Sequence, residues 1–213
     1  MTILHCQQDL DASLRRLVER DPRLAPFVEQ CTPISLRRQP AGLEGLLQII
    51  LAQQVSVASA RAIWQKFTKR FPACDVDMLK EAGEEDLRLC GLSRPKIRTV
   101  LHIMDAIRGG FDLDGLAASE PGLVRAALVS LHGVGPWTAD VYLLFCLGVA
   151  DIFPAGDLAL QVAVADALEL EARPSEKQLA GMAAQVWSPE RGAAAHLFWA
   201  HYRQMKEGRE GVV

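Results

Sequence analysis

Two short stretches carry residue types on which chemistry can be built. The first reads Leu131-His132-Gly133-Val134-Gly135-Pro136-Trp137-Thr138. Two glycines there lie between helical patterns, and a proline stands at the first turn of the second. Glycine lets the backbone turn tightly and approach another molecule with no Cβ in the way. The N–H groups that open the next helix point outward beside a positive dipole end, so the hairpin can hold an anion such as a phosphate without a lysine. The plainer reading of the same glycines is a helix C-cap followed by a tight turn. The second stretch reads Pro154-Ala155-Gly156-Asp157 and leads into an apolar run from Leu158 to Leu168. Asp157 in that position is a helix N-cap, its carboxylate accepting from first-turn N–H groups.

Metal chemistry has little footing in the pattern. The cysteines (Cys6, Cys31, Cys74, Cys90 and Cys146) are spread singly, whereas metal fingers and cluster loops need close pairs of ligands. Most of them read as small buried apolar residues. His196 and His201 are five positions apart, which does not stack them on one helix face as four would. The 213 residues hold 23 Lys and Arg against 26 Asp and Glu, a net charge of −3, and half of them are apolar. This balance excludes a disordered chain, a collagen-like fibre and a disulfide scaffold. The longest apolar run, Val141 to Ala150, falls short of the ~20 residues of a membrane span. The first residues lack the basic and apolar regions of a signal peptide. A soluble, cytoplasmic chain with no membrane partner is expected. A negative total does not exclude a nucleic acid, since only the contact face must be favourable. Arg94, Lys96 and Arg98, and Lys66, Lys69 and Arg70, supply local basic density.

Helices must position these stretches. Ala60, Ile63, Trp64, Phe67 and Phe71 form an apolar stripe at helical spacing that stops at Pro72, with Trp64 read as core. Leu123, Val124, Ala127, Leu128 and Leu131 repeat the pattern after Pro121, a favoured first-turn residue. Ser175 to Gln178 has capping-box form, and Ser188-Pro189 opens a last helix to about Met205. No alternating strand pattern appears. The expectation is an all-α fold of many helices, each of roughly 8–18 residues. Two glycine turns join helices in a similar way, Leu89 to Lys96 and Leu131 to Thr138, and a common helical-hairpin geometry accounts for both.

The stretch from Leu131 to Ala139, followed by Leu147-Gly148, Asp151-Ile152-Phe153-Pro154 and Asp157, resembles the helix-hairpin-helix and Gly/Pro/Asp signature of the DNA glycosylase superfamily. The tryptophan after the hairpin resembles the 3-methyladenine DNA glycosylase II (AlkA-type) branch. Ile50 to Val57, and Trp187-Ser188-Pro189 leading through Arg191 to Trp199, agree with it. The likeness runs from about Leu14 to Tyr202, with its motifs in order.

The resemblance implies that Asp157 is the catalytic aspartate, a role compatible with a cap because a capping carboxylate is rigidly aimed. Alkylation at N3 or N7 gives a purine a positive charge and a weak glycosidic bond, so the base leaves without a general acid. One anion beside the oxocarbenium-like sugar then suffices, where glycosidases that must protonate a poor leaving group use two carboxylates. Asp151 is read as a loop hydrogen-bond partner. Trp137 and Trp199 align with the base-pocket tryptophans, and Val141 and Leu158 with pocket-lining positions that are aromatic in some relatives. A flipped cationic base stacks on indole faces, worth about 0.5–2 kcal/mol per contact. Taken alone, each tryptophan reads more often as core than as pocket. Relatives that cleave the DNA backbone carry a lysine at position 137. Tryptophan cannot form their Schiff base, so no lyase activity is expected. The resemblance places the DNA wedge at Gln54, with Gln53 beside it and Ser56 free to cap the next helix. Unaided, that stretch is an ordinary polar turn. The hairpin backbone of Gly133, Val134, Gly135 and Thr138 would hold a DNA phosphate. As in relatives, a monovalent cation on the carbonyls of Val129, Leu131 and Val134 would sit beside it. No other cofactor is expected.

The implied architecture is two helical subdomains flanking a DNA-binding cleft. Residues 43–148 would form a bundle ending in the helix-hairpin-helix at about 123–147. Residues 1–42 with 149–213 would form a second subdomain built from both chain ends and carrying Asp157. Neither the N-terminal sheet domain of larger relatives nor the four-cysteine iron–sulfur loop of others is expected. A monomer acting on double-stranded DNA with alkylated bases is expected. The rivals are a superfamily glycosylase for a different damaged base, disfavoured by Trp137, and a non-catalytic helix-hairpin-helix DNA-structure-binding protein, which would not need Asp157.

Overall fold

Helix starts follow the capping residues. The computed structural model describes residues 2–210. In chain order the helices are α1 (Gln7–Arg20), α2 (Ala25–Cys31), α3 (Leu43–Ala52), α4 (Val57–Arg70), α5 (Val76–Leu89), α6 (Arg94–Arg108), α7 (Pro121–Ser130), α8 (Pro136–Val141), α9 (Leu158–Ala167), α10 (Glu176–Met182) and α11 (Arg191–Glu210). Among the described residues no strand forms, and one isolated bridge joins Ile3 and Val149. The all-α expectation holds. Ser56 caps α4 by accepting from Ser59 N–H, and Asp75 caps α5 by accepting from Met78 N–H. Ser175 and Gln178 close the expected capping box on α10. Prolines occupy the first turn of α6, α7 and α8, where a missing N–H costs nothing. Three helices are shorter than expected: α2, with 7 residues, and α8 and α10, each of which runs on into a turn of π-helix, at Tyr142–Cys146 and Ala183–Trp187. The last helix outruns the expected end near Met205.

The helices gather into two compact units, one of Met1–Arg38 with Leu143–Val213 and one of Gln39–Tyr142. Their limits lie a few residues before the expected ones.

In the unit made from both chain ends, α11 packs on α9, α2 and α1. Its small residues Ala193, Ala194 and Ala195 are fully buried and let neighbouring backbones come close, while Phe198 fills the space beyond them. Trp187 is fully buried against Phe153 and Phe198, and its indole N–H donates to Asp21 at 3.0 Å. Glu190 accepts from Ser13 and from Arg16 Nε, tying α1 to the start of α11.

In the contiguous unit, α3 packs against α4, α6 and α8, and α5 against α6. Phe67 and Phe71 of the α4 stripe are fully buried. Trp64, expected in the core, is only half-buried and stacks on Phe67 with centroids 5.6 Å apart.

Candidate active site

The hairpin joining α7 to α8 belongs to the contiguous unit. Leu131 leaves α7 in extended backbone, and Gly133 follows at φ 80°. A Cβ at Gly133 would fall onto the Thr99 side chain of α6. Glycine is thus required there by the protein's own packing as well as by the turn. Gly135 differs: it is the N-cap of α8, and a Cβ there would meet no atom within 4 Å. The open approach expected of both glycines belongs to Gly135. Val134 is buried, and its N–H donates to Leu131 O at 3.1 Å. That donor is therefore engaged inside the turn, and the outward donors are the first-turn N–H groups of α8, which have no partner within the helix. Arg125 Nε meets Asp140 at 2.7 Å and ties α7 to α8. Leu131 O keeps a second lone pair, and Val129 lies in the last turn of α7, where carbonyls lack a helical donor.

The turn between α3 and α4 carries the expected wedge. Gln54 is exposed and holds a left-handed backbone, φ 55°. Gln53 is turned inward, its side-chain amide donating to Thr138 Oγ1 at 2.8 Å. Thr138 is buried, so its hydroxyl serves this turn while its N–H remains in the first turn of α8. Lys96 Nζ donates to Leu51 O at 2.8 Å, covering a carbonyl at the end of α3, and burial lowers its pKa. Trp137 is half-buried and Val141 is buried in this same unit.

Asp157, Leu158 and Trp199 belong to the other unit. Asp157 is the N-cap of α9, its Oδ1 accepting from Leu160 N–H at 3.1 Å, and it is half-buried rather than fully enclosed. Leu158, the first residue of α9, is 57% exposed. Asp151 is a structural clamp: Arg191 Nε donates to it at 2.6 Å and Ser188 Oγ at 2.9 Å. Burial pushes its carboxyl up, but those two donors and the Arg191 charge outweigh it and hold the pKa below the usual carboxylate range.

Trp199 is buried in α11 and tilts against Phe145, centroids 5.3 Å apart. The Arg37 guanidinium lies over both rings, its Cζ 5.4 Å from the Trp199 centroid and 5.9 Å from that of Phe145. Burial lowers the Arg37 pKa, Arg203 lowers it further, and Asp157 opposes both. The carboxylate and the cation thus lie within each other's field. Arg37 N–H donates to His196 Nε2 at 3.2 Å, and His196 Nδ1 meets Gly192 O at 2.7 Å, so the imidazole is read as the neutral Nδ1–H tautomer. Burial pushes His196 down to about 4. Sequence reasoning missed Arg37 and His196. The segment between α2 and α3 has no helical period, and the Arg37-Arg38 pair within it was the available signal.

The family model described as "HhH-GPD superfamily base excision DNA repair protein" matches residues 47–189. Among curated proteins, the "Alkylbase DNA glycosidase-like protein mag2" of Schizosaccharomyces pombe is 24% identical over 94% of this chain and 98% of its own. "DNA-3-methyladenine glycosylase 1" of the same organism is 26% identical over 87% and 83%. Among solved structures, a DNA-3-methyladenine glycosidase from Bacillus halodurans superposes with TM-score 0.76 at 26% identity, covering 92% of this chain and 91% of that one. The S. pombe 3-methyladenine DNA glycosylase Mag1, solved with abasic DNA, shares the fold at TM-score 0.80 and 22% identity, covering 92% and 97%.

Proposed function

The chain belongs to the HhH-GPD superfamily of base excision DNA repair proteins, and we propose that it is a monofunctional DNA glycosylase. In this reading it hydrolyses the N-glycosidic bond of alkylated purines such as 3-methyladenine and 7-methylguanine in double-stranded DNA and leaves an abasic site. The observation that carries the proposal is Asp157, a half-buried carboxylate aimed by its bond to Leu160 N–H at the start of α9. The base is rotated out of the duplex. The C1′–N bond breaks with its electron pair leaving on a base that is already positive. Asp157 stabilises the oxocarbenium-like sugar and orients the water that bonds to C1′, whose released proton passes to solvent.

The other roles follow the family signature. In the unit that carries Asp157, Trp199 and Leu158 take the base-pocket role; in the contiguous unit that role falls to Trp137 and Val141. Gln54 fills the space left in the duplex, with Gln53 fixing the turn beneath it. Gly135 and the first-turn N–H groups of α8 hold a DNA phosphate, within a hairpin shaped by Gly133 and Val134. A monovalent cation sits on the carbonyls of Val129, Leu131 and Val134 in this reading, Leu131 O having a lone pair beyond the one that Val134 N–H uses. Trp137 has no amine for a Schiff base, so the strand stays intact. The enzyme acts as a monomer in the cytoplasm. The names of the S. pombe and B. halodurans relatives support the substrate class.

The test is release of methylated purines from duplex DNA by the wild type and by Asp157→Asn. Asparagine is an equally good cap, so the fold should persist while release falls by about 10²–10³-fold. Equal rates would sink the mechanism, and strand cleavage or a borohydride-trapped adduct would sink the monofunctional assignment. DNA binding with no release of any base would favour the non-catalytic reading.

A further inference from the structure

The aromatic wall at Trp199 already carries a cation. Arg37 lies over Trp199 and over Phe145, both in the unit that holds Asp157. Its backbone is pinned by His196, whose ring is itself fixed by Gly192 O. A guanidinium keeps its proton throughout the physiological range, even when partly desolvated. Arg203 adds a second positive charge to the same field, against which Asp157 is the opposing anion. A base that arrives with its own positive charge finds one indole face taken and like charge beside it.

A base that arrives neutral meets the opposite situation. When its C1′–N bond breaks, the electron pair goes with it and it departs as an anion. The water oxygen bonds to C1′, and the proton released there ends on the departed base. Fixed positive charge close to the ring lowers the cost of that developing negative charge, and a guanidinium can also donate to a ring carbonyl or nitrogen.

We propose that Arg37 is a specificity-determining residue that extends the site to uncharged damaged purines, such as the oxopurine hypoxanthine. The inference rests on the glycosylase reading above and deepens it. Cationic methylpurines, with their weak bonds, leave despite Arg37; neutral purines leave because of it.

The experiment measures single-turnover release of hypoxanthine and of 7-methylguanine from otherwise identical duplexes. The enzymes are the wild type, Arg37→Met and Arg37→Lys, each checked for an unchanged melting transition. The wild type should release both bases. In Arg37→Met the ratio of hypoxanthine release to 7-methylguanine release should fall at least tenfold. Arg37→Lys, which keeps the charge, should fall between the two. Loss of both activities by the same factor in Arg37→Met would overturn the proposal, because the residue would then only shape the site. A wild type that releases 7-methylguanine but no hypoxanthine would overturn this inference alone. A wild type that releases neither base would remove the glycosylase reading beneath it.

Discussion

Gln53 Nε2 donates to Thr138 Oγ1 at 2.8 Å, so the turn after α3 is fastened to the first turn of α8. One bond therefore couples the proposed wedge to the proposed phosphate hairpin. Thr138→Val keeps the shape, removes the acceptor, and leaves a part-buried amide unpaired, at a cost of about 1–3 kcal/mol. Affinity for abasic-site DNA should fall with it. Chemical denaturation alongside a fluorescence binding titration checks both. Unchanged affinity in a destabilised protein would show that the two sites are not coupled.

The hairpin glycines should separate under substitution. Gly133→Ala meets both a left-handed backbone and the Thr99 side chain, so roughly 2–5 kcal/mol should be lost from strain and overpacking together. Gly135→Ala meets open space and an extended φ of −89°. Its melting temperature should barely move, while DNA affinity falls because a methyl group stands where a phosphate would approach.

Gln54→Ala should weaken binding to abasic DNA far more than it changes the fold. The side chain is exposed and α4 keeps its Ser56 cap. Replacing a left-handed residue with alanine should cost no more than about 1 kcal/mol in stability. Parallel losses in binding and folding would argue against a wedge.

His196 should make stability depend on acid. Its folded pKa of about 4 lies below the ordinary 6.5, so between those values the unfolded chain binds more protons. The contribution is complete above about pH 6.5 and is lost as the pH falls towards 4, with a limiting slope of about 1.4 kcal/mol per pH unit. Urea midpoints across that window should show the slope in the wild type and lose it in His196→Gln. A slope unchanged by the substitution would place the titration elsewhere.

Much of this was legible in the chain. Ser56, Ser175 and Asp157 announce their helices because capping is a local transaction between a side chain and N–H groups three residues on. The turn at Gly133 was legible for the same reason. That Thr99 stands behind that glycine was not, since the two are brought together only by the packing of α6 against the hairpin. Arg37 and His196 were illegible on similar grounds. Their bond joins an aperiodic segment to the last helix, and no spacing records it. Nor does any spacing record the arginine that lies over Trp199.

The unit built from both chain ends has a bearing on biosynthesis. During translation α1 emerges before the partners it needs: Glu190, which accepts from Ser13 and Arg16, and the Trp187 that meets Asp21 follow those residues by 177, 174 and 166 positions. The intervening helices hold a core of their own and can settle while the ribosome is still working. The unit that carries Asp157 must wait for α11, so the carboxylate acquires its setting only after the intervening helices have been made.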